Sequence, residues 1–172
     1  MSNIDLDEVK KSAAEVIVNC SLIEKKVKNI LSSYIDSSKS FFISEILLNN
    51  SFISLAKKFK LLGYVIRKED IKVNSDFRKW CFILMSKRNM IAHSDRLLED
   101  YAIVDVDVDA GPEGVEYFPV YEDAPPKVST IENGKFRFEE VEKTCKDFDK
   151  YYEKLDKELD KISHQIKRLN SS

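Results

Sequence analysis

The sequence has few residues that interrupt helices. Its 172 residues include four glycines and four prolines, and seven of these eight lie between positions 111 and 134. Glycine and proline are the strongest local breakers of regular structure. Their scarcity before about residue 100 and after about residue 138 excludes a turn-rich β fold there, so hydrophobic periodicity can be interpreted in both segments.

Residues that form disulfides or bind metals are also scarce. There are three cysteines and two histidines, with no Cys-x-x-Cys spacing. An odd number of cysteines in this arrangement excludes a disulfide framework, and so few ligands exclude a structural zinc site. We therefore expect no metal and no cofactor. Cys20, Cys81 and Cys145 instead fall on apolar stripes, where a thiol acts as a small hydrophobic group.

Long hydrophobic runs are absent as well. No run approaches the roughly 18 residues of a membrane span, and Met1–Asp5 lacks the basic-then-apolar order of a secretion signal. We expect no membrane association and a cytoplasmic location. The content of 43% hydrophobic and 34% charged residues supplies a core for one domain over residues 1–172.

Two long helices are predicted at the ends of the chain, where apolar residues recur at spacings of three and four. The first helix, capped by Asp5 or Asp7, carries Ala13, Val16, Cys20, Ile23, Val27, Ile30 and Tyr34. The last carries Val141, Cys145, Phe148, Tyr152, Leu155, Leu159, Ile162, Ile166 and Leu169. These residues form a narrow apolar stripe along the last helix, which we call its seam. We expect this seam to lie against the first helix, a second subunit or both, and we predict a homodimer.

Three shorter helices are predicted between them. Phe41–Leu48 forms an apolar helix that ends at Asn49-Asn50, and another begins at Ser51. The buried face of the latter is predicted to carry Phe52, Leu55, Phe59, Leu62 and Ile66. The next helix, with Ser75 as its cap, is predicted to bury Phe77, Trp80, Leu84 and Ile91.

Residues 101–138 show the period-two pattern of strands. Three valines from Val104 to Val108 alternate with aspartates, Ala110–Gly114 forms a turn and Val115–Tyr121 returns. A second hairpin pairs 128–131 with 135–138 around Asn133-Gly134. The predicted fold is all-α: an antiparallel helical bundle of four to five helices, with a small β-hairpin insertion before the last long helix.

Positive charge is concentrated in one segment. The net charge is −2, so no global field attracts nucleic acid, yet residues 57–88 carry ten basic and three acidic side chains. This local balance of +7 favours a phosphate-binding face, whereas ordinary solvated helix faces are the alternative. The candidate RNA-binding residues, predicted to lie largely off the buried faces, are Lys57, Lys58, Lys60, Arg78, Lys79 and Lys87.

The helix over 77–93 ends with Arg88, Asn89, Ala92 and His93. Arg88 lies at the edge of the apolar face, and Asn89 and His93, four residues apart, share one side of the helix. This Arg-Asn-x-x-Ala-His string resembles the Arg-x(4–6)-His motif of HEPN domains, at the expected place in a helical bundle. The alternative is that both cations simply favour a helix C-terminus.

The resemblance implies metal-independent RNA cleavage at a dimer interface, where Arg88 and His93 of both subunits form one site and Asn89 orients the histidine or the phosphate. Histidine moves protons near neutral pH, and arginine stabilises charge on phosphate oxygens. The implied partners are RNA, a second copy and an antitoxin or other protein, in a toxin or antiviral effector. The alternative is a non-catalytic module that binds a partner protein, nucleotide or regulator.

Overall fold

The structure, a computed structural model, describes residues 6–93, 101–111, 114–123, 127–132 and 135–170, with the strands before residue 139 described by their backbone alone. Its α-helices are α1 (Leu6–Ile35), α2 (Ser40–Phe42), α3 (Leu55–Lys68), α4 (Phe77–Ala92) and α5 (Val141–Leu169). A 3₁₀ turn at Ser37–Lys39 precedes α2, and a π-helical segment at Ile43–Leu47 follows it. The predicted all-α bundle is confirmed. None of the described helices has the length and apolar character needed to cross a membrane.

The insertion before α5 consists of two antiparallel hairpins. Strand β1 (Tyr101–Gly111) pairs with β2 (Gly114–Asp123), with a register irregularity between Ile103 and Asp105. Strand β3 (Lys127–Glu132) pairs with β4 (Lys135–Glu140). Both hairpins match the period-two prediction. Residues 112–113 and 133–134 of the predicted turns, and the capping residue Asp5, lie outside the described residues.

The apolar seams of α1 and α5 pack against each other. Ile23 and Val27 on α1, and Leu155, Leu159 and Ile162 on α5, are fully buried. Beside the seam, Lys26 pairs with Asp156 at 2.6 Å and with Asp160 at 2.9 Å. The predicted contact between the first and last helices is confirmed. This contact buries the apolar faces of both helices within one chain. Their regular apolar spacing therefore no longer indicates a second subunit.

The side-chain contacts give the directions of the helices. Lys26 of α1 meets Asp156 of α5, and the Asn170 amide just beyond α5 donates to the Ser33 carbonyl near the end of α1, so α1 and α5 run the same way. Lys58, near the start of α3, contacts Glu24 in the middle of α1, and Glu69, just after α3, contacts Tyr34 near the end of α1. Helix α3 therefore runs in the same direction as α1. Among the four long helices of the described residues, α4 runs the other way, because Lys87 near its end pairs with Asp147 near the start of α5. The predicted antiparallel arrangement therefore holds for α4, but α1, α3 and α5 run parallel.

Three helix-level predictions were wrong. Helix α3 begins at Leu55 rather than Ser51, because Asn49 accepts the backbone N–H groups of Phe52 and Ile53 and folds this segment into a turn. Phe52 is consequently 71% exposed instead of buried. Helix α4 begins at Phe77 with Asp76 at its N-cap position, so Ser75 is not the cap. At the end of α5, Leu169 is 46% exposed because it lies beyond the packed seam.

The α1–α5 seam is expected to dominate stability. Replacing Leu159, which is 0% exposed, by alanine leaves a cavity and should lower the free energy of unfolding by about 2–5 kcal/mol. Leu169→Ala, the same change on the same helix at an exposed site, should change it by less than about 0.5 kcal/mol. Urea unfolding followed by circular dichroism measures both. Equal effects of the two substitutions would contradict the assigned seam.

Candidate functional site

The last turn of α4 carries the motif residues. Leu84 and Ile91 of this helix are buried, and Arg88 lies half-buried at the edge of their face. The Arg88 Nη1 group donates a hydrogen bond of 3.1 Å to the Asn89 side-chain oxygen. His93 is the C-cap residue, and its backbone N–H donates to the Asn89 carbonyl at 3.0 Å. Asn89 and His93 are both exposed at the end of the helix.

A cleft of about 380 Å³ opens between α1, the turn before α3, the start of α3 and α4. Its apolar wall contains Ile17, Cys20, Leu55, Ala56 and Met85. Its polar lining consists of Ser21, Glu24, Asn50, Ser54, Arg88 and Asn89. The structure therefore brings Arg88 and Asn89 together in one cleft, whereas His93 lies outside the lining residues.

Two lining residues of this cleft, Glu24 and Asn50, form a closed hydrogen-bonded ring with the buried Lys58 behind them. The Lys58 ammonium donates to one carboxylate oxygen of Glu24 and, at 2.5 Å, to the Asn50 side-chain oxygen. The Asn50 amide donates to the other carboxylate oxygen of Glu24 at 3.0 Å. Lys58 is 0% exposed and Glu24 is 15% exposed. We name these three residues the Lys58 triad.

The prediction that Lys58 is a surface residue for RNA was wrong. Lys58 lies four residues before Leu62 and seven before Val65, so it occupies the middle of the buried face of α3. Lys57 and Lys60 are each about 100° or more away around the helix and are exposed. An ammonium that is buried and held by Glu24 is not available to a phosphate in solution.

The other predicted basic residues divide into two groups. Arg78 and Lys79, in the first turn of α4, are exposed like Lys57 and Lys60. Lys87 is only 14% exposed and pairs with Glu139 at 2.5 Å and with Asp147 at 3.4 Å. Lys87 therefore ties α4 to the start of α5 rather than lying free on the surface, and its contact with RNA stays a prediction.

The charges around the cleft favour an anion. Lys58 neutralises Glu24, whereas Arg88, within the described part of the chain, forms no ion pair and bonds only to the neutral side chain of Asn89. The Ser54 side chain, also in the cleft lining, makes no capping hydrogen bond at the start of α3. The first amides of a helix carry partial positive charge. A small anionic group is thus the ligand chemistry that this cleft would accept.

The cysteines do not supply a nucleophile. Burial raises the pKa of the Cys20 thiol in the cleft wall to about 11; Arg88 acts to lower this pKa and Glu24 to raise it. Burial likewise raises the pKa of Cys81 to about 12 and that of Cys145 to about 11. A thiol with such a pKa stays protonated near neutral pH, and the thiolate is the reactive form.

The sequence interpretation missed Glu24, Asn50 and the structural role of Lys58. The position of Lys58 on the apolar face of α3 could have indicated this role from the sequence, because a lysine there requires a buried acidic partner. Among the described residues, no group of three or more His, Cys, Asp or Glu side chains is placed to hold a metal ion. No family model, curated protein or solved structure matches the chain.

Proposed function

We propose that the chain is a HEPN-like, metal-independent endoribonuclease that acts as a toxin or antiviral effector of a prokaryotic conflict system. The observation that carries the proposal is the end of α4, where Arg88 faces an open polar cleft and His93 is exposed five residues later. An arginine and a histidine thus lie on the same helix end, about 140° apart around its axis. The conflict-system role comes from the family resemblance.

The proposed reaction uses the 2′-hydroxyl of RNA as the nucleophile. This hydroxyl attacks the adjacent phosphorus, a bond from the 2′ oxygen to phosphorus forms, and the bond from phosphorus to the 5′ oxygen breaks. His93 accepts the proton that the 2′-hydroxyl loses while water protonates the departing 5′ oxygen, or water accepts the first proton while protonated His93 supplies the second. Arg88 stabilises the charge on the phosphorane oxygens, and Asn89 orients Arg88 through its hydrogen bond.

A second copy of the chain completes the proposed site. Phe82, Asn89 and His93 are separated by seven and four residues, so they fall within about 40° of one another on α4. Phe82 is 68% exposed, which supports the use of this strip as a docking surface. A second copy that covers Phe82 would lie beside the exposed His93, where its residues would complete the site.

Cleavage of mixed RNA in EDTA tests the proposal. Wild-type protein should cut, and the products should end in 2′,3′-cyclic phosphates because the attacking hydroxyl belongs to the RNA. Arg88→Ala and His93→Ala should each abolish cleavage, whereas Asn89→Ala should reduce it about tenfold. Gel analysis of the fragments and circular dichroism of each variant provide the measurements.

The matched control for His93→Ala is His164→Ala, which replaces the other histidine of the chain at an exposed position on α5. It should cleave like the wild type. Cleavage that requires Mg²⁺, or that persists in His93→Ala, would refute the proposed mechanism.

The dimer is tested by changing Phe82. Phe82→Glu places a charge on the proposed docking strip and should convert the dimer to a monomer, with loss of RNA cleavage. Phe52→Glu is the control, because Phe52 is 71% exposed but lies in the turn before α3. Light scattering and cleavage assays measure both variants. A wild-type monomer at micromolar concentration would remove the composite site.

The exposed lysines of α3 are tested by charge reversal. Lys57→Glu with Lys60→Glu should weaken RNA binding, and the slope of log affinity against log salt should fall by about 1.4 if both contact phosphates of single-stranded RNA. Lys143→Glu with Lys157→Glu makes the same charge change on exposed positions of α5 and should leave this slope unchanged. An equal effect of both pairs would show that only net charge matters.

The second candidate function is a non-catalytic binding module. The observation that favours it is that, within one chain, the cleft contains Arg88 and Asn89 but not His93. A pocket with one free guanidinium fits an anionic ligand without any proton carrier. Folded protein that binds an anion but cleaves no RNA would support this function and reject the nuclease.

A further inference from the structure

The Lys58 triad lies against the same cleft as Arg88, although none of its members belongs to the Arg-His motif. We propose that Lys58 is a positioning residue, which holds the Glu24 carboxylate away from Arg88 and so leaves the Arg88 guanidinium free to bind a phosphate group. This inference builds on the proposed function because it concerns the same Arg88, but its test does not depend on RNA cleavage.

Both carboxylate oxygens of Glu24 are occupied within the triad. One accepts from the Lys58 ammonium and the other accepts from the Asn50 amide at 3.0 Å. Asn50 is itself fixed by the 2.5 Å hydrogen bond that its oxygen accepts from Lys58. Lys58 thus fixes the position of the Glu24 carboxylate in two ways. It pairs with the carboxylate directly, and it holds the Asn50 side chain that donates to the other carboxylate oxygen.

Glu24 and Arg88 both line the cleft and are both close enough to influence the Cys20 thiol on its wall. Arg88 is the one cation among the described lining residues, and it forms no ion pair within the described part of the chain. Without Lys58, a carboxylate left in this partly buried place would gain most by pairing with Arg88. Such a pair would occupy the guanidinium fork that a phosphate needs.

A role in the cleft also accounts for a lysine inside α3. Replacing a buried ion pair by apolar residues of similar volume is often neutral or stabilising. Stability alone therefore does not require Lys58 and Glu24 at these positions. When Lys58 holds the Glu24 carboxylate in place, the positive charge of Arg88 remains available to a ligand in the cleft.

The experiment titrates the full chain with inorganic phosphate and follows the Arg88 guanidinium signals by NMR. Lys58→Met should weaken phosphate binding about tenfold, which is within the range of coupled sites. The Arg88 signals in the absence of phosphate should shift and show slower rotation, because the guanidinium is paired with Glu24. The double variant Glu24→Gln/Lys58→Met should restore affinity to within about twofold and return the Arg88 signals to their wild-type state.

Lys157→Met is the matched control, since it removes the same charge from an exposed position on α5 that does not line the cleft. It should leave phosphate affinity and the Arg88 signals unchanged. Lys58→Gln provides a second variant if Lys58→Met does not fold, because it keeps a polar group beside Glu24 but removes the charge. Its effects should have the same direction as those of Lys58→Met.

Two results would overturn the inference. The first is that wild-type protein does not bind phosphate. The second is weaker binding in Lys58→Met with unchanged Arg88 signals, which would assign the loss to the missing positive field rather than to a Glu24–Arg88 pair. Phosphate affinity and the Arg88 signals are measured without RNA, whereas the nuclease proposal is tested by RNA cleavage, so failure of the inference is distinguishable from failure of the nuclease proposal.

Discussion

The packing of α1 against α5 is the constraint on which the rest of the structure depends. Because Ile23 and Val27 meet Leu155 and Leu159 in a fully buried seam, these two long helices fix one side of the bundle. The chain that leaves α1 must then return along its free side, where Lys28 pairs with Glu45 at 3.3 Å. This return places the start of α3 beside the middle of α1 and creates the cleft that α4 closes.

The base of this cleft depends on one buried cation. An ammonium removed from water is expensive unless a carboxylate and further hydrogen bonds replace its hydration. Lys58 obtains both, from Glu24 on α1 and from Asn50 in the turn before α3. The same contacts join α1 to the turn before α3 and to α3 itself, so the geometry of the cleft and the local charge balance have a common origin.

Sequence periodicity was sufficient for elements whose apolar pattern is long and regular. The apolar faces of α1 and α5 and the two hairpins were predicted because each residue pattern extends far enough along the chain to be distinguished from chance spacing. Phe52 was assigned to a helix because its spacing to Leu55 and Phe59 fits one, but the hydrogen bonds at Asn49 form a turn instead. The Asn49 side-chain oxygen adds to this turn by accepting the Ser51 backbone N–H at 3.0 Å, so local hydrogen bonding overrides spacing in so short a segment.

The candidate site was predictable only in part, for a related reason. Arg88, Asn89 and His93 were predicted from one short sequence motif. Their place at the end of α4 was predicted from the apolar spacing of that helix. Glu24 and Asn50 approach Lys58 only when α3 packs against α1, so no local pattern contains the triad. The pairing of Lys87 with Glu139 and Asp147 likewise depends on how α4 meets the start of α5.

The geometry of α4 also restricts how the motif can act. Five residues of an α-helix turn through about 500°, so Arg88 and His93 leave the helix about 140° apart. Arg88 consequently faces the cleft beside α1, whereas His93 shares the exposed strip of Phe82 and Asn89. Two groups that diverge in this way act on one phosphate most simply when a second subunit supplies one of them. The proposed nuclease therefore depends on a second subunit, whereas the proposed anion binding at Arg88 does not.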